Sequence, residues 1–220
     1  MGKRIGIMGG TFDPPHVGHL ILGEVARQQL ALDLVMFMPA GQPPHKRTEP
    51  MSAVQHRLAM TRLAVAGNGA FTVNTIDIER PAPHYTSTLR PLLQEAFPDS
   101  DFALLIGGDS LRDLPRWHEP HRVASQWQLA VLSRPGFDVD WTALEKAVPG
   151  VGQATTMLDG PSIALSSTQV RRWANAGRSL RYLMPAAVAG YIKENGLYSS
   201  GRYQDAAASS PSEVPATGPA

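Results

Sequence analysis

The sequence predicts an α/β fold, a doubly wound parallel sheet with helices on both faces. Three observations support it. Short apolar runs alternate with amphipathic stretches, the order that strand–helix–strand crossovers require. Several runs are apolar at every position, as strands covered on both faces are. Gly-rich or Pro-rich segments follow the runs that end at positions 8, 38, 106 and 132. In such sheets ligands bind beyond the carboxyl ends of the strands, so these segments would share one rim.

The elements follow in order. Residues 4–8 read as the first strand. Residues 16–30 read as a helix with Val17, Leu20, Ile21, Val25 and Leu30 on one side. Residues 34–38 form a second strand, ended by Pro39, and 52–66 a second helix with Ser52 as its cap. The β-branched run 71–78 reads as a strand. Residues 86–97 are helical, capped by Thr86 or Ser87. Strands at 102–106 and 129–132 run into Gly107-Gly108 and Ser133-Arg134-Pro135-Gly136. A helix at 142–148, a short strand at 155–158 and helices at 167–176 and 185–194 complete the fold, with Gly177 and Gly196 as stops. Residues 1–200 are expected to form one domain. Residues 201–220 are small and polar, lack core periodicity and read as a disordered tail.

Composition narrows the function. A hydrophobic content of 43% with 18% charged residues is that of an ordinary globular protein. The net charge of +1, with Lys and Arg scattered, argues against a nucleic-acid partner, which usually needs a basic stripe. The absence of cysteine excludes disulfides, thiolate catalysis and Cys-based zinc sites. No apolar run approaches the ~20 residues that span a bilayer. The first ten residues carry too brief an apolar run for a signal peptide. A cytoplasmic protein with no membrane partner is expected.

Gly9-Gly10-Thr11-Phe12-Asp13-Pro14-Pro15-His16-Val17-Gly18-His19 is the most informative stretch. Glycines let backbone N–H groups approach an anion closely, and a helix beginning there points its positive end at that anion. His16 and His19, three apart at a helix start, share a face and can reach one polyphosphate. Gly18 keeps that face bare for a ligand. The stretch is neither the dinucleotide fingerprint nor a Walker loop, since G-x-G-x-x-G and G-K-[ST] are both missing. Spacing alone also fits a capped helix with two surface histidines. It fits a histidine metal site less well, since no third ligand stands nearby in a recognisable pattern. A second motif is Ser166-Ser167-Thr168-Gln169-Val170-Arg171: hydroxyls that open a helix, then an arginine one turn later. Such a group can hold phosphate oxygens. Taken alone it also fits an ordinary N-cap with a surface arginine.

Together the two motifs resemble the signatures of the nucleotidyltransferase superfamily, [HT]-x-G-H early and Ser-x-Thr-x-x-[RK] late. The resemblance runs to about Tyr198. More narrowly, the chain is similar to the bacterial nicotinate-nucleotide adenylyltransferases. The pieces that carry the likeness are the glycine–histidine stretch, Pro43-Pro44-His45-Lys46, Tyr85-Thr86, Ile106-Gly107-Gly108-Asp109-Ser110-Leu111 with Trp117, Ser133-Arg134-Pro135-Gly136, the Ser166–Arg171 motif and the closing Tyr191-Ile192 to Gly196-Leu197-Tyr198.

That resemblance implies a Rossmann-like sheet and an enzyme of NAD biosynthesis. Its substrates would be ATP and nicotinate mononucleotide, and its products deamido-NAD and pyrophosphate, with Mg²⁺ accompanying the ATP. It implies His16, His19 and Arg171 as catalytic residues, with His19 stabilising the transition state. Gly9, Gly10, Thr11, Gly107, Asp109, Ser166, Ser167 and Thr168 would join them around ATP. Thr11, Phe12, Lys46, Tyr85, Thr86, Trp117 and Arg134 would hold the mononucleotide, and no residue is implied as a metal ligand. Physical chemistry agrees in part: the helix start at Tyr85-Thr86 favours a carboxylate, and Trp117 offers a flat face to a heteroaromatic ring. Residue by residue, Trp117 also reads as core, Lys46 as a solvated loop lysine and Asp109-Ser110 as a helix cap. Rival readings are an adenylyltransferase for nicotinamide mononucleotide or phosphopantetheine, a class I aminoacyl-tRNA synthetase core, and an ATP sensor without turnover.

Overall fold

The computed structural model describes residues 2–42, 51–133, 136, 138–161 and 163–199. The expected Lys46 and Arg134 contacts and the tail at 201–220 lie outside these residues.

Among the described residues six strands form one parallel sheet: β1 (Arg4–Gly10), β2 (Leu34–Pro39), β3 (Phe71–Val73), β4 (Asp101–Gly107), β5 (Gln128–Leu132) and β6 (Thr155–Leu158). Their spatial order is β3-β2-β1-β4-β5-β6, that of the Rossmann-like fold. Period-two alternation assigns each strand's side chains to the two faces. Ile5, Ile7, Met36, Met38, Leu104, Ile106, Leu129 and Val131 enter one core. Met8, Val35, Phe37, Ala103, Leu105, Ala130 and Leu132 enter the other.

The helices are α1 (Val17–Gln29), α2 (Val54–Val65), α3 (Ile76–Glu79), α4 (Thr86–Ala96), α5 (Gly108–Asp113), α6 (Pro120–Gln126), α7 (Trp141–Ala147), α8 (Val151–Ala154), α9 (Ser167–Asn175) and α10 (Ala186–Glu194), with a 3₁₀ turn at Leu114–Arg116. Helix α1 covers the second face through Leu22 and Ala26; α4 and α6 cover the first through Leu89, Leu93, Val123 and Ala124. A third cluster joins α2, α9 and α10 through Met60, Val170, Val188 and Ile192. Each such aliphatic side chain, fully buried, contributes roughly 1.5–3 kcal/mol.

One strand expectation fails. The run 71–78 is a strand only to Val73. The Asn74 side chain accepts from the Ile76 N–H at 2.9 Å and starts the short α3 instead. Two cap expectations also fail. Ala53, not Ser52, caps α2, and the Ser52 N–H donates to Asp13 Oδ2 at 3.0 Å. Tyr85 caps α4, and Ser87 Oγ pairs with His118 Nδ1 at 3.1 Å. The glycine stops hold: Gly177 and Gly196 have φ of +65° and +58°.

The β1–β4 ladder runs from Arg4↔Asp101 to Ile7↔Leu104. Beyond it β1 stays paired with β2 to Gly10, and β4 with β5 to Gly107. The sheet thus opens between its two central strands at their carboxyl ends, where the strand order reverses and a ligand crevice is expected.

Candidate active site

A cleft of about 710 Å³ fills that opening. Gly9 and Gly107 lie on its floor, and a Cβ at either would meet nothing within 4 Å. Both positions therefore leave cleft volume where any other residue would place a side chain.

The loop from Thr11 to His16 forms one wall. Phe12 has φ +49°, a left-handed conformation costly for an aromatic residue. It turns the ring inward, where it is buried beneath His19 with ring centroids 5.1 Å apart. Its side chain belongs to the core and is not among the residues lining the cleft, so the expected mononucleotide contact is not one its ring makes. His16 is the N-cap of α1 and is 3% exposed. Its ring stacks on that of His19 at 3.8 Å, and its N–H donates to His19 Nδ1 at 3.1 Å. Both rings line the cleft. Gly18 matters for closeness: a Cβ there would stand 3.1 Å from the His16 ring.

The late motif reaches the same loop. Ser166 caps α9, accepting from the Gln169 N–H at 3.2 Å. Ser167 Oγ donates to the Pro14 carbonyl at 2.9 Å. Arg171 donates to the Asp13 carbonyl at 2.8 Å and to Thr168 Oγ1 at 3.2 Å. Ser166, Ser167 and Thr168 line the cleft; Arg171 stands behind them as a strut on the loop.

Two groups that sequence reasoning missed hold this loop from below. The Asp13 carboxylate is buried and accepts from Tyr198 Oη at 2.6 Å and the Ser52 N–H at 3.0 Å. Arg57, 1% exposed, spends its guanidinium on main-chain carbonyls: Ser52 at 3.1 Å, Thr11 at 3.0 Å, Ala40 at 2.7 Å and Gly41 at 3.0 Å. Burial pushes its pKa down, and the nearby Asp13 carboxylate pushes it back up. The sequence signal is only an arginine within an apolar helix face.

The opposite end of the cleft holds Tyr85, Thr86, Trp117 and His118. Trp117 packs against the core and also lines the cleft. The Tyr85 and His118 rings stack at 3.9 Å and 7°. Arg80 and His84, unmarked in the sequence, also line this end. Gly10, Thr11, Asp109 and Ser110 also line the cleft, with Asp109 in the first turn of α5 and 3.2 Å from the Arg112 guanidinium.

The model of the cytidylyltransferase-like family matches residues 7–173. A probable nicotinate-nucleotide adenylyltransferase of Thermomicrobium roseum is 44% identical over 196 residues, 89% of this chain and 92% of that protein. The chain belongs to this family. Another probable member, from Herpetosiphon aurantiacus, is also 44% identical over 196 residues, 89% of this chain and 98% of its own. Among solved structures, the nicotinic acid mononucleotide adenylyltransferase of Plasmodium falciparum, complexed with NaAD, superposes with a TM-score of 0.73, covering 89% of this chain and 97% of that one. At 17% identity, that likeness speaks for the Rossmann-like fold of the family.

Proposed function

We propose that the chain transfers the adenylyl group of ATP to nicotinate mononucleotide, giving deamido-NAD and pyrophosphate. The observation that carries the reading is the meeting of the two motifs: α9 is tied to the Asp13–Pro14 segment through Ser167 and Arg171, so its first turn faces His16 and His19 across one cleft. The names of the family's relatives supply the substrates.

The mononucleotide's phosphate, ionised at neutral pH, is its own nucleophile. One of its oxygens forms a bond to the α-phosphorus of ATP while the bond to the β-bridging oxygen breaks. The electron pair leaves with pyrophosphate. No protein base is required, so catalysis is positioning and charge stabilisation. In this reading His16 and His19 stabilise charge at the α-phosphoryl group. Ser166, Ser167 and Thr168 take the β- and γ-phosphates, Arg171 holds their helix to the loop, and Gly9, Gly10, Thr11, Gly107 and Asp109 receive the rest of ATP. Tyr85, Thr86 and Trp117 receive the pyridine ring and its carboxylate. Mg²⁺ enters as part of the substrate Mg·ATP, its ligands supplied by the triphosphate. Among the described residues no three His, Cys, Asp or Glu side chains gather to hold a metal.

We further propose that residues 1–200 are one catalytic domain working in the cytoplasm. No described helix is long and apolar enough to cross a membrane. Deleting residues 201–220 should leave turnover unchanged in a pyrophosphate-release assay. The decisive test incubates the full chain with Mg·ATP and nicotinate mononucleotide, with nicotinamide mononucleotide in parallel. Pyrophosphate and deamido-NAD in equal amounts, formed faster than product from the amide, are expected. Preference for the amide, or no pyrophosphate with either, would overturn the reading.

A further inference from the structure

The Tyr85–His118 wall is built on a bracket that the reaction does not itself require. Tyr85 has extended backbone, and no side-chain bond caps α4 there. Its carbonyl gathers three donors: Arg80 Nη2 at 3.0 Å, Thr88 Oγ1 at 3.0 Å and the Thr88 N–H at 3.2 Å. Arg80 Nε donates to Asp77 Oδ1 at 2.7 Å, and Nη1 to Thr88 Oγ1 at 2.6 Å. The Arg80 and Asp77 side chains are 7% and 9% exposed, so this pair is largely sealed from solvent. Asp77 also fixes the next turn, its carbonyl bonded to His84 Nδ1 at 2.6 Å. A guanidinium can serve carboxylate, hydroxyl and carbonyl at once because its donors form a rigid fork; an ammonium is a single point.

We propose that Arg80 is a positioning residue for the mononucleotide. Acting through the Tyr85 carbonyl, it fixes the angle of the Tyr85 ring, the His118 ring stacked on it and the first turn of α4. Arg57 and Asp13, which brace the histidine loop, share no hydrogen-bond partner with Arg80, so loss of the Arg80 fork should be felt mainly at the Tyr85 end. The inference rests on the reading that this end receives the pyridine nucleotide.

The test is Arg80→Lys, which keeps a cation beside Asp77 and removes only the fork. The Michaelis constant for nicotinate mononucleotide should rise about tenfold, the size of a lost aromatic contact. That for ATP, and kcat, should change less than about threefold, because only binding common to ground and transition states is lost. A second readout needs no substrate. The His118 ring protons, assigned with His118→Asn, are shielded by the Tyr85 ring in the wild type and should move downfield in Arg80→Lys. Unmoved His118 resonances, or equal rises in both Michaelis constants, would overturn the proposal. A wild type that never consumes the mononucleotide would overturn the functional reading, and the resonance shift would still show whether the bracket acts as stated. Should Arg80→Lys not fold, Thr88→Val removes the bridging hydroxyl and should give the same shift with a rise of about threefold; no change in either quantity would again overturn it.

Discussion

At its histidine end the cleft is assembled from segments far apart in the chain, and Asp13 is bonded to Tyr198, 185 residues away. At its aromatic end every hydrogen bond of the bracket falls between Asp77 and His118. The first end is held by carbonyls and a buried carboxylate meeting buried donors. The second is held by a largely buried ion pair and by stacked rings, of which His118 is exposed. Rigidity at the first suits a group that must align a triphosphate for in-line displacement. On the proposed function, the second end, with its exposed ring, would receive the pyridine ring and its substituent. One cleft would then separate chemistry from specificity by giving each its own supports.

Four substitutions probe that separation. The largest effect should come from Arg57→Met. It strips four carbonyls of their donor and removes one of the cations near the buried Asp13, a loss of about 3–5 kcal/mol. Chemical denaturation measures it, and a loss below about 1 kcal/mol would mean that the loop is held by something else. Next, His19→Ala should lower kcat about 10²-fold, the usual consequence of removing a transition-state donor. A near-normal kcat would move the chemistry away from the stacked pair. Trp117→Ala should act at the other end alone, raising the mononucleotide Michaelis constant about tenfold at constant kcat in steady-state assays.

The smallest effect should lie outside both ends. Arg27, Gln28 and Asn68 bond the Glu24 carboxylate and hold its pKa at about 2 in place of 4.5. The folded value lies below the unfolded one. Its stabilisation is therefore full above pH 4.5 and fades as pH falls towards 2. Glu24 is one-third exposed, so solvent screening keeps the effect below about 1 kcal/mol. Melting curves of Glu24→Gln should lose less stability than wild type across that interval, with turnover at neutral pH unchanged. Altered turnover would show that the outer face of α1 communicates with the cleft.

The two ends are not equally legible in the sequence. Paired glycines, prolines and histidines in one short stretch have few uses, so residue types alone mark the loop at Gly9–His19. The parallel sheet follows from the alternation of element types, and the range expected for β6 is the one observed. The bracket uses Asp77, Arg80, Ser87 and His118, ordinary residues whose meaning depends on where α3 and α4 turn. The run 71–78 misleads because its β-branched residues outweigh Asn74, whose side chain ends the strand. Helices α5, α6 and α8 are not read as elements, since 6, 7 and 4 residues span two turns or fewer; α5 shows only the cap at Asp109-Ser110, and α7, as short as α6, is read at 142–148, one residue from its observed bounds. Asp13 and Arg57 are invisible as partners, since their bonds run to carbonyls and to a tyrosine far along the chain.

The bond from Tyr198 to Asp13 also orders events during synthesis. The loop bearing both histidines is translated well before Tyr198, and its carboxylate waits for a hydroxyl made 185 residues later. A nascent chain whose Tyr198 is still inside the ribosome already carries the histidines but lacks that clasp. The wall that would align nucleotide is therefore fastened only long after its own residues have been made.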